Sequence, residues 1–186
     1  SAGRTGYAPA RLALRAVLDD PRLELVGVFA YSDDKVGADA GALCGRPNCG
    51  VTATNDIDAL IALNADTVIY TPFMADLDHV SRLLGSGLDL LSTNLFLNYG
   101  GIDSDIRPQL EAACERGKSS LYITGVNPGW INYVTAATTA VCRDVQSVSI
   151  SETADVSVYE SAETWLAMGM SKPTASPDVV DMARAW

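Results

Sequence analysis

The chain opens on Ser1-Ala2-Gly3-Arg4-Thr5-Gly6, residues of the kind that build a glycine turn around a pyrophosphate. Gly3 and Gly6 let a backbone turn tightly and approach the phosphates, and Arg4 and Thr5 offer donors to their oxygens. Ser1 stands where such a turn usually has its first glycine. Taken alone, the same residues also describe a helix-capping loop. The turn is followed by a helical pattern with Leu12, Ala16 and Val17, then an apolar strand over residues 23–31, then Asp33-Asp34. An acidic residue after the second strand of a nucleotide-binding unit can hold the adenosine ribose, so the set points to a dinucleotide.

Ser32, Asp33 and Lys35 share that strand end. A carboxylate suits the unphosphorylated ribose, while a serine and a lysine suit a 2′-phosphate. Both kinds are present, so the cofactor expectation is NADP or NAD. Thr71, Pro72 and Thr93 fall at the carboxyl ends of two further strands, the edge on which open α/β sheets bind ligands, although a threonine there can equally cap the next helix. Asn127, within residues 125–130, has an amide able to donate and accept beside a nicotinamide or substrate, and Glu152 is a candidate for proton transfer. The single histidine, His79, has no partner histidine and is expected to be solvated. Cys44, Cys49, Cys114 and Cys142 lack zinc-site spacing, and Cys44 and Cys49 read as a reduced pair in a surface loop.

The elements that would position these residues alternate between apolar β-branched runs and helical periodicity. Strands are expected at 23–31, 50–53, 66–72, 88–93 and 121–124. Helices are expected at 57–63, capped by Asn55 or Asp56, at 76–84 and at 105–116, closed by Gly117. This predicts an α/β fold, a Rossmann-type doubly wound and mainly parallel sheet over residues 1–130. No strand precedes Ser1, so the first β-element is expected to be missing. A helix at 131–142 and an alternating strand at 145–152 predict the start of an α+β substrate-binding and dimerisation domain over 131–186, expected to be truncated.

Composition bounds the function classes. The chain has 186 residues, of which 48% are hydrophobic and 19% charged, as expected of an ordinary globular protein. Its net charge of −10 opposes general binding to nucleic acid or to anionic membranes. No apolar run approaches the roughly 20 residues of a membrane span, and no charged-then-apolar leader is seen, so a cytoplasmic protein is expected.

These features, with residues 33–41 and 157–164, resemble the dihydrodipicolinate-reductase-like proteins, which are similar to diaminopentanoate dehydrogenase and the native amine dehydrogenases. The resemblance covers nearly the whole chain. It implies an NAD(P)-binding domain followed by a domain that carries a small-molecule substrate and mediates homodimerisation. True dihydrodipicolinate reductases carry a Glu-x-His-His-x-x-Lys motif; after Glu152 this chain has Ala154 and Asp155 for the histidines and Val158 for the lysine, so that activity is not expected. In the amine dehydrogenases an acidic residue follows the Ser-Thr strand end, but here Asn94-Leu95-Phe96 follows Ser92-Thr93. The resemblance implies an NAD(P)-dependent oxidoreductase that moves hydride between nicotinamide and a carbonyl, imine or amine carbon. The alternative is a non-catalytic dinucleotide-binding sensor.

Overall fold

The computed structural model describes residues 8–72, 75–94 and 106–151 and positions 153, 155, 172, 173, 176, 177 and 180, with the backbone alone of Ala8, Asn127 and Pro128. Ser1–Tyr133 and Val134–Trp186 form two separate compact units.

In the first unit, parallel strands alternate with helices. The order is α1 (Ala8–Asp19), β1 (Val28–Phe29), a 3₁₀ turn (Asp33–Lys35), α2 (Ala40–Cys44), β2 (Ala53–Thr54) and α3 (Ile57–Ile61). It continues with β3 (Thr67–Tyr70), α4 (Leu77–Gly85), β4 (Asp89–Ser92), α5 (Ile106–Gly117) and β5 (Leu121–Ile123). A π-helical turn, Val126–Trp130, leads into α6 (Ile131–Thr139). No helix among the described residues is long and apolar enough to cross a membrane.

The ladders form two sheets where a single one is expected. β1 pairs with β2, Val28 opposite Ala53, and a second sheet has the order β3-β4-β5, with Val68 opposite Leu90 and Leu90 opposite Leu121. The expected strand 23–31 shrinks to two residues because β2 offers it only Ala53 and Thr54. An extended segment without a ladder partner is not a strand, and Leu23 and Val26 are accordingly exposed.

Aspartates fix the helix starts. Asp56 accepts from the amides of Asp58 and Ala59 at 2.9 and 3.1 Å, and Asp76 accepts from those of Asp78 and His79 at 3.0 and 3.1 Å. Each satisfies donors that a helix start would otherwise leave orphaned. α4 and α5 pack together against β3 and β4, and Tyr70, Val80, Leu83, Leu84, Leu90 and Leu110 form the core. Leu84 and Val80 are fully buried; each side chain of this kind contributes roughly 1.5–3 kcal/mol when withdrawn from water.

Gly117 is the last residue of α5, but the left-handed residue that ends the helix is Lys118, at φ +56°. The glycine serves a close approach instead. A Cβ on Gly117 would lie 1.9 Å from the Leu84 carbonyl oxygen, which itself accepts from Ser119 Oγ at 2.8 Å.

Residues 126–130, with Asn127, Pro128 and Gly129 among them, form a π-helical turn. Trp130 N–H reaches back five residues to the Gly125 carbonyl at 2.9 Å, a ring wide enough to pass Pro128, which has no N–H to give. Gly129 takes φ +130°, a backbone that side-chain-bearing residues rarely adopt.

In the second unit, the strand expected at 145–152 is corrected. Residues 144–151 have no ladder, and Val145, Val148 and Ile150 are exposed. Alternation supplies a face, but the hydrogen bonds of a strand come from a partner, and no described segment pairs with this one. Glu152 lies outside the described residues.

Candidate functional site

The sheets carry most of the described candidates at the carboxyl ends of their strands. After β1, Ala30 N–H donates to the Thr54 carbonyl at 2.8 Å and extends the pairing by one bond. The chain then enters the 3₁₀ turn, closed by Lys35 N–H on the Ser32 carbonyl at 3.0 Å and Val36 N–H on that of Asp33 at 3.2 Å. Asp33 and Asp34 are exposed, whereas Ser32 and Lys35 are half-buried. Ser32 stands at the cap position, yet its hydroxyl does not cap the turn. That oxygen is buried without a hydrogen-bond partner.

Thr71, Pro72 and Thr93 come together because β3 and β4 run side by side. Ser92, wholly buried, donates from Oγ to the Tyr70 carbonyl at 2.9 Å and accepts from Asn94 N–H at 3.0 Å. Asn94 Nδ2 then donates to the Pro72 carbonyl at 3.0 Å. Thr71 and Pro72 are half-buried on this staple and Thr93 is exposed. The structural part of Ser92 and Asn94 was missed by strand-end reasoning; the available signal is a serine followed two residues later by an asparagine, both able to bond neighbouring backbone.

The ends of β1 and β3 also meet through side chains. Tyr31 donates its hydroxyl to that of Tyr70 at 3.5 Å, and Tyr70 oxygen accepts from Asp76 N–H at 2.8 Å. Desolvation of the Tyr31 hydroxyl, with Tyr70 beside it, pushes this phenol well above its ordinary value and keeps it protonated. His79 is not the solvated residue its isolation in the sequence suggests. Its ring packs edge-on against Phe29, centroids 5.3 Å apart, and lies 6.4 Å from that of Tyr31, leaving the side chain 22% exposed. Helical periodicity located His79 on α4 but could not show that β1 lies against it.

Cys44 is also corrected. It is buried inside α2 while Cys49 is exposed, and both are free thiols. Asp39 organises the loop between them, accepting from the amides of Gly41 at 2.8 Å, Cys49 at 3.1 Å and Gly50 at 2.8 Å. Among the described residues no group of three or more His, Cys, Asp or Glu could hold a metal ion. A cavity of about 290 Å³, lined by Val26, Gly27, Val51, Thr52, Leu60 and Leu63 among others, opens at the approach to β1 and β2 and has no ionisable lining. None of the strand-end candidates lines it.

Gly3, Arg4, Thr5 and Gly6 lie outside the described residues, as does Glu152, and of Asn127 only the backbone is placed, within the π-helical turn. The site is therefore read from Ser32, Asp33, Lys35, Thr71, Pro72 and Thr93.

The chain is similar to known proteins along much of its length. An amine dehydrogenase of Streptomyces virginiae is 32% identical over 174 residues, 88% of this chain and 48% of that protein. A 4-hydroxy-tetrahydrodipicolinate reductase of Paraburkholderia phymatum is 29% identical over 131 residues, 68% of this chain and 46% of that enzyme. The chain is a distant homologue of both enzymes. It spans about half the length of these curated relatives. The structure of an amine dehydrogenase from Mycobacterium smegmatis matches with a TM-score of 0.52 at 22% identity, over 60% of this chain and 35% of that one, a likeness of fold. No protein-family model matches the chain.

Proposed function

We propose that the chain is the cofactor-binding part of an NAD(P)-dependent oxidoreductase acting on a carbonyl or imine/amine carbon of a small organic substrate. The observation that carries this reading is the gathering of Ser32, Asp33, Lys35, Thr71, Pro72 and Thr93 at the carboxyl ends of parallel strands, in a chain homologous to two enzymes named as a dehydrogenase and a reductase. The orphaned Ser32 hydroxyl fits an adenosine ribose, because a buried polar atom gains from a ligand that completes its hydrogen bonding. The exposed Asp33 is beside it.

When bound, the nicotinamide group supplies hydride transfer. The chain supplies position. Gly3 and Gly6 would admit the pyrophosphate, with Arg4 and Thr5 on its oxygens, and the strand ends at Thr71, Pro72 and Thr93 would contact the nicotinamide ribose or a phosphate. Asn127 orients the carboxamide or the substrate, and Glu152 moves the proton. In the finer form of this fold, one further parallel strand lies between β1 and β3 and joins the two observed sheets into a doubly wound one. Residues from 131 onwards begin a substrate-binding part, and the whole protein is a cytoplasmic homodimer in this reading.

One observation favours the non-catalytic alternative. Asn94 has no carboxylate to take a proton, and its amide is committed to the Pro72 carbonyl. Titrating the protein with NADH and NADPH, followed by cofactor fluorescence, should give saturable binding that Gly6→Val abolishes while leaving the circular dichroism spectrum intact. The absence of saturable binding with either cofactor refutes the dinucleotide reading. Binding with no cofactor turnover across a panel of ketones, imines and amines selects the sensor.

A further inference from the structure

We infer that Asn94 is a positioning residue for the nicotinamide half of the dinucleotide, its side-chain amide holding the carboxyl ends of β3 and β4 together where the backbone ladder stops. This rests on the dinucleotide reading and adds to it a residue outside the strand-end set. The parallel pairing of β3 and β4 runs from Thr67 opposite Asp89 to Tyr70 opposite Ser92. It cannot continue through Pro72, which has no N–H to give. Asn94 Nδ2 takes over, donating to the Pro72 carbonyl at 3.0 Å beyond the last paired position. An amide suits that place, because Pro72 offers only an acceptor and a carboxylate would set acceptor against acceptor.

The amide is itself fixed from within the protein. Asn94 is buried, and its backbone N–H donates at 3.0 Å to the Ser92 hydroxyl that bonds the Tyr70 carbonyl. Thr124 N–H on the Ser92 carbonyl, 2.8 Å, ties the same strand end to β5. One link at the end of the ladder would leave a pivot; the second, at Pro72, sets Thr71 and Pro72 relative to Thr93. These segments follow β3 and β4, whereas the residues read for the adenosine ribose follow β1, so the other half of a dinucleotide falls to them. Walls that are already ordered cost a ligand less on binding.

Titration of the full chain with the tighter-binding of NADH and NADPH, followed by the fluorescence of the reduced nicotinamide and with ADP as competitor, tests this in the parent, Asn94→Ala and Asn94→Asp. Asn94→Ala removes the side-chain bond, and Asn94→Asp keeps the size while replacing the donor by an acceptor. Both should bind the dinucleotide about three- to tenfold more weakly, the loss expected of one hydrogen bond, and move the emission of the bound nicotinamide towards that of the free cofactor. ADP carries no nicotinamide and should bind all three proteins within about twofold. Equal weakening of dinucleotide and ADP, or loss of the fold in both variants by circular dichroism, would show a role in the whole unit and overturns the inference while the dinucleotide reading stands. Unchanged affinity and emission in a folded variant overturn it too, as does ADP that fails to displace the cofactor from the parent. Failure of the parent to bind either dinucleotide overturns both.

Discussion

Replacing Ser92 by alanine should destabilise the protein by about 2–3 kcal/mol, through hydrogen bonding alone. The side chain has no solvent exposure, and its hydroxyl joins the Tyr70 carbonyl at 2.9 Å to the Asn94 amide at 3.0 Å. Alanine deletes only the oxygen, so little cavity is created. What remains is a buried Asn94 N–H that has lost its Ser92 acceptor, in a residue 4% exposed, and such a loss at a buried donor costs about 1–3 kcal/mol. The Tyr70 carbonyl loses one partner as well, a smaller loss of about 0.5–1.5 kcal/mol for the bond itself. Urea unfolding followed by circular dichroism reads the sum. With a slope of about 1–3 kcal/mol per molar urea, the midpoint should fall by about 1–3 M at unchanged slope. The adjacent Thr93→Ala, at an exposed position, should stay within about 0.5 kcal/mol of the parent. A Ser92→Ala midpoint that moves no further than that of Thr93→Ala refutes the staple.

Two further predictions rest on other parts of the fold. Gly117→Ala places a methyl 1.9 Å from the Leu84 carbonyl oxygen and must push α4 and α5 apart, so its melting temperature should fall well below that of Gly37→Ala, whose methyl meets no atom within 4 Å and bears only the strain of φ +83°. Equal melting temperatures would remove the steric argument. For Asp39, desolvation pushes the carboxyl up, but the amides of Cys49, Gly50, Gly41 and Ala42 outweigh it and hold the group below its ordinary value of 3.8. A depressed folded value means that the contribution is complete above the unfolded value and is lost as pH falls through the folded one. Stability measured from about pH 5 down to about pH 2 should therefore drop less steeply in Asp39→Asn than in the parent, and parallel curves would refute the assignment.

Much of the local structure is legible in the sequence. Asp56 and Asp76 stand before apolar residues at helical spacing, and both cap the helices that follow. The β3, β4 and β5 runs are rich in apolar side chains, and each forms a strand within the residues expected of it. Such signals act between residues a few positions apart, so order in the chain is enough to read them. The signals failed where a partner from elsewhere was required. Residues 23–31 look like a long strand, but β2 meets only two of them; residues 145–151 alternate well and pair with nothing described.

The candidate site divides along the same line. Its residue types were visible as a serine, two carboxylates and a lysine after one apolar run, and threonines after two others. Sequence could name these side chains without ranking them. Only the tertiary structure decided that the Ser32 hydroxyl withdraws from water while Asp33 and Asp34 stay in it, that Ser92 and Asn94 tie β3 to β4, and that His79 packs on Phe29. Burial and long-range hydrogen bonds depend on which distant segments meet. Helix periodicity and capping depend on near neighbours, and those the chain carries by itself.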